Sequence, residues 1–182
     1  MLFEDQSLVQ HLDVILSGSY WLDAVFLFVS INLRVLLAFA LIGFPLRHSI
    51  SRLNTDIKGD TKLGFLSTAV FASVLAGSIK LYAMGLTRIY LDPGQYGWFY
   101  ILFSFLIVLF VQDTVFYFIH RLFHHPQLYW LSHRGHHRSR QPSPWTSFAL
   151  DPIESLVHSL LLVLLVVLLP LHLVTVLAVL TT

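Results

Sequence analysis

Residues 120–137 read HRLFHHPQLYWLSHRGHH, and the rest of the chain is interpreted outward from this stretch. Six of its eighteen residues are histidine, out of ten in the whole chain. They include a pair four residues apart and a trio at the spacing i, i+3, i+4, and the members of each group share one face of a helix. Two such faces turned toward each other form a cage of imidazoles. The pattern therefore predicts a metal site with five ligands: His120, His124, His133, His136 and His137.

The sixth histidine of the stretch fits this cage least well. On a helix of 3.6 residues per turn, His124 lies about 40° from His120, whereas His125 lies about 140° away. Neutral imidazole suits iron, zinc, copper or nickel. The chain has no cysteine, which argues against a structural zinc or iron–sulfur site. The alternative is a basic, solvated surface that meets anionic lipid, because arginines lie beside the histidines at positions 121, 134, 138 and 140.

The composition is that of a membrane protein. The 182 residues are 56% hydrophobic and 12% charged, and the mean hydropathy is +0.74. Such values are typical of a multi-span membrane protein rather than a soluble domain. The formal net charge of +1 does not indicate nucleic acid as a partner.

Four apolar runs predict an all-α, multi-pass membrane protein with about four transmembrane helices. Each run is long enough to cross ~30 Å of hydrocarbon at 1.5 Å per residue. The runs are residues 21–46, 63–86, 98–119 and 153–180. The last run is interrupted by Pro170 and His172, so we expect one kinked or tilted span there, since two full spans do not fit. Residues 1–20 are expected to form a short interfacial helix or to fray.

Arg34 and Asp113 are charged residues well inside the predicted spans, where a charge is costly and usually faces other helices. Asp113 shares a helical stripe with Tyr117, His120 and His124. As a second-shell group it would accept a hydrogen bond from an imidazole N–H and fix the tautomer of that ring. A structural ion pair between Asp113 and Arg34 is the alternative, and the sequence leaves both open.

The distribution of basic residues predicts the orientation of the chain. Most Lys and Arg residues fall in the loops after the first and third spans, which four spans would place on the same side. The positive-inside rule then predicts that both loops, with the histidine-rich segment, are cytoplasmic and that both termini lie on the opposite side.

Three segments together resemble the fatty acid hydroxylase/sterol desaturase superfamily. They are DTVFYFIHRLFHH at residues 113–125, HRGHH at 133–137 and QPSPWTSFALDPIE at 141–154. In this resemblance His120 and His124 match an HxxxH box, and the three histidines of 133–137 match an HxxHH box. Asp151 stands where relatives often have histidine before proline, and we interpret it as a helix N-cap rather than a ligand.

The resemblance implies an O2-dependent enzyme that hydroxylates or desaturates a lipid, either an acyl chain or a sterol, at two non-haem irons. It also implies an electron-donor protein and leaves an oligomer open. No third histidine box follows His137, since His158 and His172 are isolated in an apolar run. We therefore expect residues 1–182 to form one membrane domain that corresponds to the N-terminal two-thirds of the family domain, with one metal or an incomplete centre. The alternative functions are a metal-binding membrane protein without catalysis and a subunit of a fuller enzyme.

Overall fold

The computed structural model describes residues 18–38, 40–41, 57–138, 146 and 148–181. Within these residues the regular secondary structure is helical, with one isolated β-bridge. Three helices are long and apolar enough to cross a membrane: α1 (Tyr20–Ala38), α2 (Ile57–Ala83) and α3 (Trp98–Phe123). The prediction of an all-α, multi-pass membrane protein is confirmed.

Four shorter α-helices and the 3-10 helix Pro93–Gln95 are also present in the described part of the chain. Two of them, α4 (Pro126–Ser132) and α5 (Arg134–Arg138), follow the third span closely and carry the second group of histidines. They are followed by α6 (Pro152–Leu168), an apolar helix of 17 residues, and α7 (Leu173–Val179). The fourth predicted span therefore corresponds to α6, which is near the lower limit of length for crossing a bilayer.

The long helices alternate in direction, and specific contacts fix how they pair. At the start of α1, the Asp23 carboxylate lies 3.0 Å from the Lys80 ammonium near the end of α2. Helix α2 also packs on α6, where the Ser155 hydroxyl donates to the Ser67 hydroxyl at 2.8 Å. Small side chains let these backbones approach, since Ala72 and Ala76 are almost fully buried. The N-terminal ends of α2 and α6 therefore lie at the same end of the bundle as the C-terminal end of α3.

The outer face of α3 is apolar and exposed. Phe99, Leu102 and Phe110 lie on this face, and in a soluble protein such a surface would be unfavourable. In a bilayer it contacts lipid tails instead, so the exposed apolar side chains fit an integral membrane protein.

The last apolar run departs from the predicted single kinked span. Helix α6 ends at Leu168, and the chain is extended until His172 caps the start of α7 by accepting a hydrogen bond from the Val174 N–H at 3.2 Å. The extended residues pair with the loop after α2, because the Tyr90 N–H donates to the Leu171 carbonyl and the Leu173 N–H to the Tyr90 carbonyl. Helix α7 then turns back along α3, where Thr175 donates to the Ile101 carbonyl at 3.2 Å. Pro170 favours this break because it has no N–H to continue the helix.

Some predictions concern parts of the chain outside the described residues. They are the interfacial helix at the N-terminus, most of the basic loop after the first span, and the connector at 139–145 with its two prolines.

Candidate metal centre

The first two imidazoles of the centre come from the end of α3. His120 lies in its last turn, and His124 is the residue that caps its C-terminus. Because they are four residues apart on one helix face, their Nε2 atoms come within 3.2 Å of each other. The HxxxH spacing therefore produces the juxtaposition that the sequence predicts.

The other two imidazoles come from a tight helix–turn–helix after Pro126. His133 is the turn residue between α4 and α5, and its backbone departs from helical geometry there. Its side chain is fully buried. His137 lies in α5, and its Nε2 is 2.9 Å from Nε2 of His133 and 3.2 Å from Nε2 of His124. The ligand atoms of these four histidines all lie within 4.8 Å of one another.

This arrangement fits a transition-metal ion. Nitrogen ligands that share a metal at ~2.1 Å lie about 3.0–3.4 Å apart in octahedral or tetrahedral geometry. The three neighbouring Nε2 pairs, at 2.9–3.2 Å, fall close to that range. Protons can satisfy at most some of these facing nitrogens, whereas one cation satisfies all four.

The two remaining histidines of the stretch lie elsewhere. His136 turns its Nδ1 toward the Ala149 carbonyl at 3.3 Å and is not part of the group of four, although its ring stacks beside that of His133. His125 is the N-cap residue of α4 and is exposed. The structure thus brings together four of the five predicted ligands and leaves His125 outside.

Asp151 holds α5 in place. Its carboxylate accepts hydrogen bonds from the backbone N–H groups of Gly135 at 2.7 Å and His136 at 3.2 Å. A Cβ atom at position 135 would lie 2.5 Å from the Asp151 carboxylate, so this approach requires glycine. Asp151 is also the N-cap residue of α6, as predicted, but its side chain caps α5 rather than α6. The residue therefore orients the helix that carries His136 and His137.

The buried carboxylate of Glu154 contacts the cluster directly. Its Oε2 lies 3.1 Å from Nδ1 of His133, and both side chains are fully buried. Burial, reinforced by the neighbouring imidazoles, lowers the pKa of His133 to about 3. Neutral His133 can then donate its Nδ1–H to Glu154 and keep the Nε2 lone pair for the cluster. Burial also lowers the pKa of His137, with smaller contributions from His124 and His136.

Glu154 is not among the site residues predicted from the sequence, and His158 is predicted to be isolated in an apolar run. In the structure His158 is buried one turn after Glu154, with Nε2 at 4.0 Å from Glu154 Oε1. Its ring stacks on Phe116 of α3 with centroids 4.5 Å apart. A signal was present in the sequence, since an acid and a histidine at i, i+4 inside an apolar run are costly and usually functional.

The structure does not bring Asp113 to the cluster. Asp113 is exposed on α3, and no hydrogen bond or ion pair joins it to a histidine within the described residues. Arg34 donates to the Leu180 carbonyl at 3.2 Å. Neither predicted role of Asp113 therefore has a contact that supports it, and the carboxylate beside an imidazole is Glu154.

Comparison with known proteins adds the family context. The fatty acid hydroxylase family model matches residues 105–182, which include the whole cluster. This segment is therefore similar to the fatty acid hydroxylase family, in agreement with the resemblance seen in the sequence. Its similarity extends to the Delta(7)-sterol 5(6)-desaturase ERG3B of Gibberella zeae, at 29% identity over 114 residues, which is 63% of this chain and 35% of the relative.

Two further relatives of the superfamily are similar over shorter stretches. The Delta(7)-sterol 5(6)-desaturase erg3C of Aspergillus fumigatus is 36% identical over 76 residues, or 42% of this chain and 24% of the relative. The lathosterol oxidase of Rattus norvegicus is 36% identical over 78 residues, or 42% of this chain and 26% of the relative. The chain thus spans about a quarter to a third of the length of these relatives. No solved structure matches it at a significant level.

Proposed function

We propose that the chain is, or forms part of, a membrane-bound oxidoreductase with an iron centre held by histidines. It uses O2 to hydroxylate or desaturate a lipid, which is either an acyl chain or a sterol. The observation that carries the proposal is the convergence of four imidazole nitrogens within 4.8 Å, inside the segment that matches the fatty acid hydroxylase family. The activities in the relatives' names, sterol desaturation and lathosterol oxidation, suggest the substrate class.

In this proposal His120, His124, His133 and His137 hold the iron, and His136 is an additional candidate ligand through its free Nε2. Iron bound there supplies the activation of O2 that attack on an unactivated C–H bond needs. Hydroxylation consumes one O2, two electrons and two protons and yields the alcohol and one water. Desaturation uses the same inputs and yields the alkene and two waters. An electron-donor protein must therefore supply the electrons.

The chain's own residues hold the ligands and leave one side of the cluster accessible. His133 and Glu154 close the inner side, while His124 and His137 are exposed and lie beside the Tyr129 ring. The helices on either side of the turn also expose apolar side chains, Leu122 on α3 and Trp130 on α4. In this proposal a lipid tail reaches the exposed imidazoles along these helices.

The proposal also places the cluster on the cytoplasmic side, where soluble or membrane-bound electron carriers operate. Its support is the excess of basic residues at this end of the bundle: Lys58, Lys62, Arg121, Arg134 and Arg138.

The test uses the purified chain in lipid nanodiscs. Iron content is measured by mass spectrometry after anaerobic loading with ferrous iron, and conversion of sterols and acyl lipids is then followed with O2 and a reductant. We expect iron to bind and an oxidised lipid to appear. Absence of bound iron would overturn the proposal at its first step.

A metal-binding protein without catalysis, or a subunit of a fuller enzyme, is the second candidate. The family resemblance implies two irons. Among the residues that the structure describes, however, the four-histidine group is the one cluster that could hold a metal ion, and this favours the second candidate. Stoichiometric iron without any oxidised lipid, under conditions where a full-length relative turns over, would select this candidate.

A further inference from the structure

Further polar atoms lie on the buried side of the cluster, where α3 and α6 meet, and none of them is a proposed iron-binding atom. Three buried side-chain atoms there lack a hydrogen-bond partner: His120 Nδ1, Glu154 Oε1 and His158 Nε2. Unpaired polar atoms are uncommon inside proteins, and each calls for an explanation. Their location beside a candidate metal centre suggests that they act on its ligands.

Glu154 lies against the nitrogen of His133 that points away from the cluster. A neutral imidazole carries a proton on one nitrogen and a lone pair on the other. Glu154 Oε2 lies 3.1 Å from Nδ1; when this oxygen accepts the Nδ1–H, Nε2 keeps the lone pair and faces Nε2 of His137 at 2.9 Å. Carboxylates in this position orient metal-bound histidines and increase their basicity.

Glu154 in turn needs a partner for its second oxygen. The carboxyl group is fully buried in an apolar helix, where an unpaired polar oxygen is costly. The nearest candidate is His158 on the same face of α6, with Nε2 4.0 Å from Oε1. Stacking of the His158 ring on Phe116 holds it against α3 in this orientation.

We propose that Glu154 and His158 are positioning residues for the metal centre: Glu154 fixes the tautomer of His133, and His158 acts through Glu154 by donating to its second oxygen. The inference rests on the proposed iron site and extends it from the ligands into α6. It assigns to His158 a role that depends on Glu154, so the two residues should not act independently.

The experiment is a double-mutant cycle on the affinity for ferrous iron, measured anaerobically by chelator competition with the full chain in nanodiscs. Glu154→Gln keeps the volume but replaces the carboxyl group with an amide, and we expect about 10–100-fold weaker binding. His158→Phe keeps an aromatic ring against Phe116 but removes the donor, and we expect a smaller loss. In the Glu154→Gln background, His158→Phe should add little further loss, because residues in one network are not additive.

Two control variants separate this role from general damage to the helix. Ser159→Ala changes a buried neighbour on α6 whose hydroxyl bonds only its own helix, to the Leu156 carbonyl at 3.0 Å. Asp113→Asn removes an exposed carboxylate from α3. We expect both to bind iron like the unaltered chain. Thermal unfolding of the metal-free proteins shows whether each variant is folded, and if Glu154→Gln is not, His158→Phe alone decides.

Unchanged iron affinity in Glu154→Gln would overturn the inference, as would an equal loss from His158→Phe with and without the Glu154 substitution. If Glu154→Gln does not fold, unchanged iron affinity in His158→Phe would overturn the inference. These results differ from failure of the proposed function, in which the unaltered chain itself binds no iron.

Discussion

The cluster is most crowded at His124 and His137, since the Nε2 atom of each lies within 3.2 Å of two other imidazole nitrogens. The four rings differ in burial: His133 is fully buried, His120 is half-buried, and His124 and His137 are exposed. A cation bound among them is therefore held on one side and reachable from the other. Substituting any one of the four histidines should remove a ligand that no other side chain replaces.

We expect His120→Ala, His124→Ala, His133→Ala and His137→Ala each to lose most bound iron, whereas His125→Ala retains it. His136→Ala should retain more iron than these four, because its Nδ1 contacts the Ala149 carbonyl and its nitrogens lie outside the group of four. Iron per chain, measured by mass spectrometry on protein purified in detergent, checks this series. Equal retention in all six variants would mean that the histidines form a cationic surface.

The pH dependence follows from His133, whose pKa of about 3 lies below the ordinary value of 6.5. Between these values the unfolded chain binds a proton here that the folded chain does not, so acid favours unfolding. The stability that neutral His133 contributes is complete above pH 6.5 and falls as the pH drops toward 3. We expect the melting temperature of the metal-free protein to decrease between pH 7 and 4.5, and less steeply in His133→Gln.

The comparison variant for this measurement is His125→Ala, which should keep the slope of the unaltered chain. The same lowered pKa values of His133 and His137 predict that protons displace bound metal only below the ordinary imidazole range. Metal release centred at or above pH 6.5 would contradict this prediction.

At the scale of elements, the short helix α5 depends on a residue outside it. Five residues are too few to form a stable helix alone. Asp151, from the start of α6, supplies acceptors for two of its N-terminal N–H groups. The geometry of one ligand helix is thus set by the position of another helix, with Gly135 leaving the space for the carboxylate.

We expect Asp151→Ala to destabilise the protein by about 0.5–2 kcal/mol, as loss of a helix cap does, and also to weaken iron binding because α5 carries His137. Asp92→Ala is the matched control, since Asp92 caps the 3-10 helix Pro93–Gln95 at the opposite end of the bundle through the Gly94 N–H at 2.8 Å. Thermal unfolding and iron titration should show similar destabilisation in both variants but weaker binding only in Asp151→Ala. Weaker binding in both would contradict the assignment.

The sequence predicts features that are set within one helix better than features that are set by contacts between distant segments. The HxxxH pair and the apolar runs give His120, His124 and the three long helices, because periodicity along one helix is visible in the sequence. Periodicity shows which residues share a helix face, but it does not show which residues of another helix pack against that face. The sequence therefore predicted Asp113, one to two turns from His120, as the carboxylate beside an imidazole. The carboxylate in that position is Glu154, which reaches His133 only because α6 packs against the cluster. The break at Pro170 was visible too, but the pairing of residues 171–173 with Tyr90 was not, because it joins segments about 80 positions apart.

At the scale of the whole molecule, the alternating helices put the start of α2 and the histidine cluster at one end and the loop after α2 at the other. Because the chain has no native cysteine, single introduced cysteines report the sidedness of each position. We expect Lys58→Cys and His125→Cys to react with a membrane-impermeant maleimide from the cytoplasmic side, and Gln95→Cys from the opposite side.

These three positions are exposed, and none is a proposed iron ligand, so labelling should not disturb the centre. Labelling of all three from one side would contradict the alternation of the helices. Labelling of Lys58→Cys and His125→Cys from the non-cytoplasmic side would keep the fold but reverse the orientation given by the basic residues.

The turn at Pro126 has a consequence for the energetics of the chain. It separates the two pairs of imidazoles, so an ion that binds all four joins residue 120 to residue 137 across a closed loop, much as a disulfide joins two cysteines. Such a cross-link restricts the unfolded chain, and a ligand that binds only the folded state adds stability that grows with its free concentration. The segment between the two pairs, α4 and the turn after it, should therefore exchange its amide hydrogens more slowly when the ion is bound than when it has been removed by a chelator.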